Sequence, residues 1–420
     1  MMNCKLLVPF FLIAFNLHFA TAQIYTDKEV GKTRYSFAQT TIGYNMDFNP
    51  VTGHSYLMKN GNLEKFTLGT GMSPVISITG LHFWGHAEFF TGFSLPSISI
   101  HKTSDYSFSR SAGTGFKIFP IQIREKRIAP YFGISLSSFS YKLQDAVTYK
   151  RIETPLLAGV TYSFKHGLLE LGMNYYHRHS YQYYVSKSQT AELSLSQVAF
   201  SVDYKYFFDL SNHSYKNDIS GATKTRYEKL KQSKRLSSFS IAAGPAYSFF
   251  TRRSSYNNDV RPYLDQYKIS RIFPDLGIGY YNYKLDASVN LAYRFYSVNQ
   301  SAFDVSQTVK RKSIALEAYK FFFDYHGFVP FAGPILSREN IQVNESEASS
   351  NVLRKTYDFW TPGIIVGWDI RPTRVDWWGV RTNIRYFPWL QLPVSNNHNI
   401  NLQQIELNFL QMIIYPNRLF

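Results

Sequence analysis

Of 420 residues only one, Cys4, is a cysteine. A chain that sheds Cys4 on export has no disulfides, so its stability must come from hydrogen bonding and packing. Beyond residue 22 there is no apolar run long enough for a membrane-spanning helix, which excludes helical membrane proteins but not barrels, whose strands show only alternate residues to lipid. Helical periodicity is nearly absent too, confined to residues 223–234. The chain has no phosphate loop, nucleotide fingerprint, zinc-ligand spacing or EF-hand loop, so no cofactor is expected. Acidic residues are the minority, 29 Asp and Glu against 45 Lys and Arg, for a formal charge of +16. The basic residues are scattered over loops and alternate strand positions, not gathered into a nucleic-acid-binding helix. Anionic lipid head groups or anionic solutes are therefore the expected counterparts, and nucleic acid is not.

Residues 1–22 have the organisation of a secretory signal. Lys5 is the charged start, residues 6–19 are apolar, and Ala20-Thr21-Ala22 forms a small-residue cleavage site before Gln23. Cys4 precedes the apolar run, so it would leave with the signal and does not read as a lipid anchor.

What the chain has in abundance is alternation. Aromatic residues make up 17% of it, mostly within period-two runs. Ala158, Val160, Tyr162 and Phe164 share one face. A turn at Lys165-His166-Gly167 follows, and Leu169, Leu171, Met173 and Tyr175 then share a face opposite Glu170, Gly172, Asn174 and Tyr176. Period two on both sides of a short turn is a β-hairpin. A comparable hairpin recurs about 200 residues later, around Arg371-Pro372-Thr373-Arg374. Ala129-Pro130-Tyr131-Phe132-Gly133 is echoed by Val329-Pro330-Phe331-Ala332-Gly333, and Leu195-Ser196-Gln197-Val198 by Leu402-Gln403-Gln404-Ile405. This shared order predicts two copies of one β unit, at residues 23–208 and 236–420, joined by a basic linker at 209–235.

Each copy is expected to hold eight strands. Short connections at 83–85, 165–167, 282–283 and 371–374 alternate with longer polar ones at 49–65, 99–110, 178–190, 254–266, 299–308, 344–354 and 388–399. Short turns on one rim and long loops on the other is the plan of a bacterial transmembrane barrel. Ile42, Tyr44, Phe89, Val160, Val202, Tyr204, Leu291, Tyr293, Ile384 and Phe409 are expected outside. Asp47, Glu88, Glu170, Asp203, Lys205, Asp286, Arg294, Glu317, Arg381, Arg385 and Glu406 are expected inside. Tryptophans near strand ends (Trp84, Trp360, Trp368, Trp377, Trp378, Trp389) fit interfacial belts.

The last strand, with Gln404 to Tyr415 in alternation and Phe420 at the terminus, resembles the closing strand of bacterial outer-membrane proteins; Pro416 departs from that pattern. The mature chain resembles the outer-membrane β-barrel superfamily, and each half resembles its small eight-stranded members, in a Tyr- and Lys-rich style similar to barrels of Bacteroidota. The resemblance implies an all-β, antiparallel transmembrane barrel in the outer membrane of a Gram-negative bacterium. It also implies lipid and lipopolysaccharide surroundings and assembly by the barrel-assembly machinery. Two closures fit: one ring of about sixteen strands enclosing water, or two tandem eight-stranded barrels filled by their own side chains. The wide ring is the expectation, because inward Arg294, Arg381 and Arg385 need room.

The expected function is a passive channel for small hydrophilic solutes, with selectivity set by Arg294, Arg381 and Arg385 and counter-charges Glu170, Glu317 and Glu406. The alternative is a non-conducting barrel with a structural, surface-loop or envelope-complex role. Catalysis is not expected. His177-Arg178-His179-Ser180 is the tightest polar cluster and includes a His/Ser pair similar to that of outer-membrane lipid deacylases, but the fuller motif of that family is missing. A solvated basic loop is the simpler reading.

Overall fold

The structure, a computed structural model, describes residues 38–420 except 51–52, 61, 96–97, 100–105, 144–147, 165, 209–218, 265–268, 271, 325–327, 349, 372, 396 and 420. The expected signal at 1–22 and the first part of the linker lie outside the described residues.

The first half contains β1 (Ala38–Asn49), β2 (His54–Lys59), β3 (Asn62–Thr67), β4 (Gly71–His82), β5 (Ala87–Ser94), β6 (Ile98–Ser99) and β7 (Tyr106–Ile118). It continues with β8 (Ile128–Leu143), β9 (Thr148–Glu153), β10 (Leu156–Phe164), β11 (Gly167–Tyr175), β12 (Ser180–Tyr184), β13 (Thr190–Ser194) and β14 (Val198–Phe208). A helix, Ile219–Gln232, follows. The second half contains β15 (Ser238–Phe250), β16 (Phe273–Asn282), β17 (Ala287–Ala302), β18 (Val305–Phe321), β19 (Phe328–Glu347) and β20 (Ser350–Ile370). It ends with β21 (Trp378–Phe387), β22 (Gln391–Ser395), β23 (His398–Asn401) and β24 (Gln404–Ile414).

The pairings correct the expected closure. Among the described residues the strands do not form a sixteen-stranded ring. β15 to β21 and β24 form one closed barrel of eight antiparallel strands. In the first half β1, β14, β11, β10, β8, β7, β5 and β4 pair in succession, and the β1–β4 pairing, from Ala38↔His82 to Asn49↔Gly71, joins the ends. Hydrogen bonding decides this: β1 takes up both its neighbours within its own half, leaving no edge for the other.

The strands form because alternate residues face opposite environments. Along β17, Ser288, Asn290, Ala292 and Arg294 are buried while Val289, Leu291, Tyr293 and Phe295 are exposed. The usual partition is thus inverted, with charge inside and hydrocarbon outside. Ile42, Tyr44, Val160, Val202, Tyr204, Leu291 and Tyr293 are exposed as expected. Phe89, Ile384 and Phe409 are only partly exposed, and Phe89 packs against Trp368 of the neighbouring ring. Asp286 is not an interior residue. It occupies the turn before β17 with φ of 48°, where it accepts a hydrogen bond from the Tyr281 hydroxyl.

Along the shared face, Phe89 meets Trp368 with ring centroids 5.0 Å apart, and Phe83 meets Phe328 at 5.8 Å. Trp368 therefore packs against the neighbouring ring instead of serving in an interfacial belt; Trp360 and Trp389 are exposed. Tyr247 projects outward from β15 and its hydroxyl reaches Thr91 and Thr114 on the outer surface of the first ring.

The rims differ in a way the loop lengths did not predict. Two of the expected long loops, at 299–308 and 344–354, are strand extensions closed by tight turns. One is Phe303-Asp304, where Ala302 pairs with Val305 and Phe303 takes φ of 56°. A left-handed aromatic residue costs about 1–3 kcal/mol. Packing of Phe303 on Tyr263, at 5.8 Å, and on the buried cluster of Leu264, Ala302 and Val305 offsets that cost. On the first ring, β12, β13, β2 and β3 form a separate small sheet above the rim, over a cluster that includes Phe139, Tyr141, Tyr181, Tyr183 and Leu193.

Candidate functional site

The interiors of the two rings are where sequence and structure place the charged groups. In the second ring the groups form tiers. Lowest is Arg381, whose Nε and Nη2 donate to both carboxylate oxygens of Asp369 at 2.6 and 2.9 Å, with the guanidinium 4.8 Å above the Phe331 ring. Above it Arg385 joins two carboxylates, Glu317 at 2.7 Å and Asp275 at 2.8 Å. Asn408 and Gln411 donate to the same Asp275 oxygen at 2.9 and 3.2 Å. Arg294 lies between Glu317 at 3.1 Å and Glu406 at 3.3 Å. Arg311 holds Glu339 in a two-point contact at 2.6 and 2.7 Å and also reaches Glu406. These groups are buried, with Arg294 0% and Arg385 1% exposed. A planar guanidinium suits this use, because its fork of donors can serve two acids at once.

The first ring solves the same problem with ammonium groups. Lys205 contacts Glu170 at 2.9 Å and Glu88 at 2.5 Å, and Lys117 contacts Glu170 at 2.5 Å and Glu88 at 3.7 Å. Thr161 donates to Glu170 at 3.2 Å. The Tyr131 ring lies under Lys117 at 4.6 Å. Its hydroxyl fills the space left by Gly159 and Gly172, a directly opposed pair; a Cβ at Gly172 would lie 2.4 Å from that oxygen. Higher up, Arg110 grips Glu153 at 2.8 and 2.9 Å, donates to the Ser196 carbonyl at 2.7 Å, and stacks on Tyr176 at 3.7 Å.

Of the six residues expected to line one lumen, Arg294, Arg381, Arg385, Glu317 and Glu406 are together in the second ring, and Glu170 is in the first. They are ion-paired and buried instead of lining open water. Sequence reasoning missed Arg311 and Glu339, although the parity that found Glu317 could have found both. Arg110 and Lys117 were harder. Both point inward despite opposite parity, because a bulge between Ser111 and Thr114 shifts the register of β7.

Both rings are covered on the long-loop rim. Arg261 donates to Glu345 and Glu347, each at 2.8 Å, and Gln307 donates to Glu345 at 2.8 Å. Burial pushes the Tyr256 phenol up to about 12. Lys187, reaching over from the first half, contacts Asp304 at 2.6 Å and Glu347 at 2.9 Å. Hydrogen bonds from Lys187 hold both carboxyls below their ordinary values, and those two carboxylates hold the ammonium above its own. On the opposite rim Arg418 donates to Ser238 Oγ at 2.9 Å and to the carbonyls of Leu236, Arg374 and Asp376. Pro416 thus starts a short turn, Pro416–Arg418, whose buried Arg418 ties the start of β15 to the turn before β21.

His177 and His179 are exposed. Ser180 Oγ donates to Glu192 at 2.6 Å across the β12–β13 pair, directing the hydroxyl toward a carboxylate. A cavity of about 170 Å³ lies where the rings meet, lined by Thr91, Thr114, Ser138, Tyr247, Phe249 and Ile272 among others.

No family model matches the chain, and no curated protein does. Among solved structures it is similar to Neisserial surface protein A, at 16% identity over 43% of this chain and 98% of that one, with a TM-score of 0.31. It is also similar to Ail, the attachment invasion locus protein of Yersinia pestis, at 13% identity over 42% and 97%, with a TM-score of 0.27. An outer membrane channel from Pseudomonas putida F1 covers more, 93% of this chain and 99% of its own, at 10% identity and a TM-score of 0.21.

Proposed function

We propose that this is an outer-membrane protein of a Gram-negative bacterium whose two small barrels are filled rather than conducting, and that its role is carried by the structure above the rim. The inverted partition supports membrane residence. Leu291, Ile364 and Ile278 are exposed while Arg294, Arg311 and Arg385 are buried, an arrangement that makes sense with hydrocarbon outside.

One observation carries the non-conducting reading. Each guanidinium that was to set the selectivity of a pore is engaged by carboxylates at hydrogen-bond distance and shielded from solvent. A pore lining needs charges that mobile ions can reach. Here the charges satisfy one another, and the interior is structural. What stands free is the sheet above the first ring and the extended β17–β20 wall of the second.

Single-channel recording in planar bilayers tests the reading. The wild-type protein is expected to give no steady conductance. Replacing Arg381 and Arg385 together by Ser is expected to lower stability without producing an ion-selective current. A reproducible wild-type conductance whose reversal potential moves toward cation preference in that variant would overturn the proposal in favour of a channel.

A further inference from the structure

On the inner face of the first ring, β1 stands between β4 and β14 in two successive rows. Gly43 is flanked by Ser77 and Lys205 in one, and Asn45 by Val75 and Asp203 in the next. Gly43 has no side chain to fill its place. A Cβ there would lie 2.5 Å from Ser77 Oγ and 3.0 Å from Asp203 Oδ1, so both oxygens border the same gap. A cavity of about 30 Å³ opens beside them, lined by Asn45, Ser77, Lys117, Asn174, Ser201 and Asp203 among others. That is room for roughly one or two particles the size of a water molecule.

Asn45 Oδ1, Ser77 Oγ and Asp203 Oδ1 are shielded from solvent and have no hydrogen-bond partner among the described residues. Ser77 is 4% exposed and Asp203 5%. All three oxygens can accept, so a donor or a cation would satisfy them together. The charge balance chooses between the two. At this level three carboxylates, Glu88, Glu170 and Asp203, share two ammonium groups, Lys117 and Lys205. Lys205 is 2.5 Å from Glu88 and 2.9 Å from Glu170 but 3.5 Å from Asp203, which is the least compensated of the three. A water would supply donors and leave a buried negative charge unbalanced, which is costly. A cation supplies both. One carboxylate with two neutral oxygens is too small a donor set for Ca²⁺, which takes six to eight oxygens. We propose that the first ring binds one monovalent cation, Na⁺ or K⁺, between Asp203, Ser77 and Asn45.

The test is thermal unfolding of the mature protein in detergent micelles, in sodium, potassium or N-methyl-D-glucamine chloride at equal ionic strength and neutral pH. The organic cation is too large for the cavity and controls for screening. The midpoint should be higher in Na⁺ or K⁺ by about 2–4 °C once the ion exceeds its Kd several-fold. Asp203→Asn removes the charge and should abolish the difference. Ser77→Ala keeps the charge, removes one ligand and should raise the concentration of ion required; it decides the question if Asp203→Asn does not fold. Excess broadening of the sodium NMR line by the protein should weaken in both variants. Equal midpoints in all three salts would overturn the site and leave the cavity to water. A midpoint that ignores the salt but rises as pH falls, and no longer does so in Asp203→Asn, would overturn it in favour of a proton on that carboxylate. A sodium effect that survives both substitutions would place the ion elsewhere and overturn it as well. None of these outcomes bears on conductance, so the non-conducting reading stands or falls separately.

Discussion

The two rings share a strand count and a filled interior, but they neutralise their interior charges differently. The first uses Lys117 and Lys205 against Glu88 and Glu170, with each lysine touching both acids. The second uses four arginines, and Arg385 alone joins Glu317 to Asp275. An ammonium is a compact charge that neighbouring acids can share, whereas a guanidinium is a fixed fork that holds particular acids in particular places. The first arrangement is redundant for both acids, whereas in the second Glu317 and Glu406 are each shared by two arginines but Asp275 relies on Arg385. Removing one lysine leaves another in contact with the same acids. Removing Arg385 takes from the buried Asp275 its guanidinium partner and leaves it the amides of Asn408 and Gln411, while Glu317 keeps Arg294.

That contrast sets the largest expected effect. Arg385→Ala should cost about 3–5 kcal/mol, the cost of breaking a buried pair from one side. Lys205→Met should cost less, about 1–3 kcal/mol, because Lys117 still engages Glu88 and Glu170. Urea unfolding in lipid vesicles measures both, and equal losses would end the distinction between acids held by two cations and one held by a single guanidinium.

Next in size is the outer face. Leu171 is 52% exposed on the first ring, whereas Ile384 is half-buried on the second, on the side turned from the open lipid. Leu171→Arg should cost about 2–4 kcal/mol, as a charge at mid-depth in a bilayer does. Ile384→Arg should additionally loosen the contact between the rings. Cross-linking between cysteines placed at Phe89 and Trp368 should fall for Ile384→Arg and stay unchanged for Leu171→Arg; unchanged cross-linking in both would show that β21 faces lipid after all.

Smaller still is the hydroxyl between the rings. Tyr247→Phe keeps the ring and loses the bonds to Thr91 and Thr114, which should cost about 1 kcal/mol. The same unfolding assay reads it, and an unchanged midpoint would mean that these bonds exchange with others at no loss.

The least effect on overall stability should come from the contact of Lys187 with Asp304 and Glu347. Both carboxyls are held below their ordinary values, chiefly by hydrogen bonds from Lys187. Their contribution is therefore present above the ordinary carboxylate range and is lost as pH falls through the lowered values, beneath that range. Hydrogen exchange at 183–187 and 303–304 should quicken at pH 3 relative to pH 7 beyond the intrinsic change, and Lys187→Met should abolish the difference. A pH response that survives Lys187→Met would assign the contact to other groups.

Much of the fold was legible from period two alone. Each ring has the eight strands expected of its half, and Glu170, Arg294, Glu317, Arg381, Arg385 and Glu406 point inward as parity required. Alternation reports which face a residue is on, and that was enough for the inside–outside partition. It failed at β7, where a bulge reverses parity between Arg110 and Lys117. It also failed at the tight turns Phe303-Asp304 and at Ala348, where polar residues continue a strand instead of leaving it.

By itself, then, the sequence determined that this is an all-β chain of two eight-strand sets with charge on one face and hydrocarbon on the other. Those properties follow from local chemistry, residue by residue. Only the tertiary structure decided how many rings the strands make and therefore whether the arginines line water or bind acids. The reason is that closure depends on which strand edges meet. β1 can pair with β4 or with a strand from the other half using the same backbone groups, and nothing in its own residues distinguishes the two. Once β1 joins β4, each ring has eight strands, its interior has room for side chains and little else, and every inward charge must find its partner within reach.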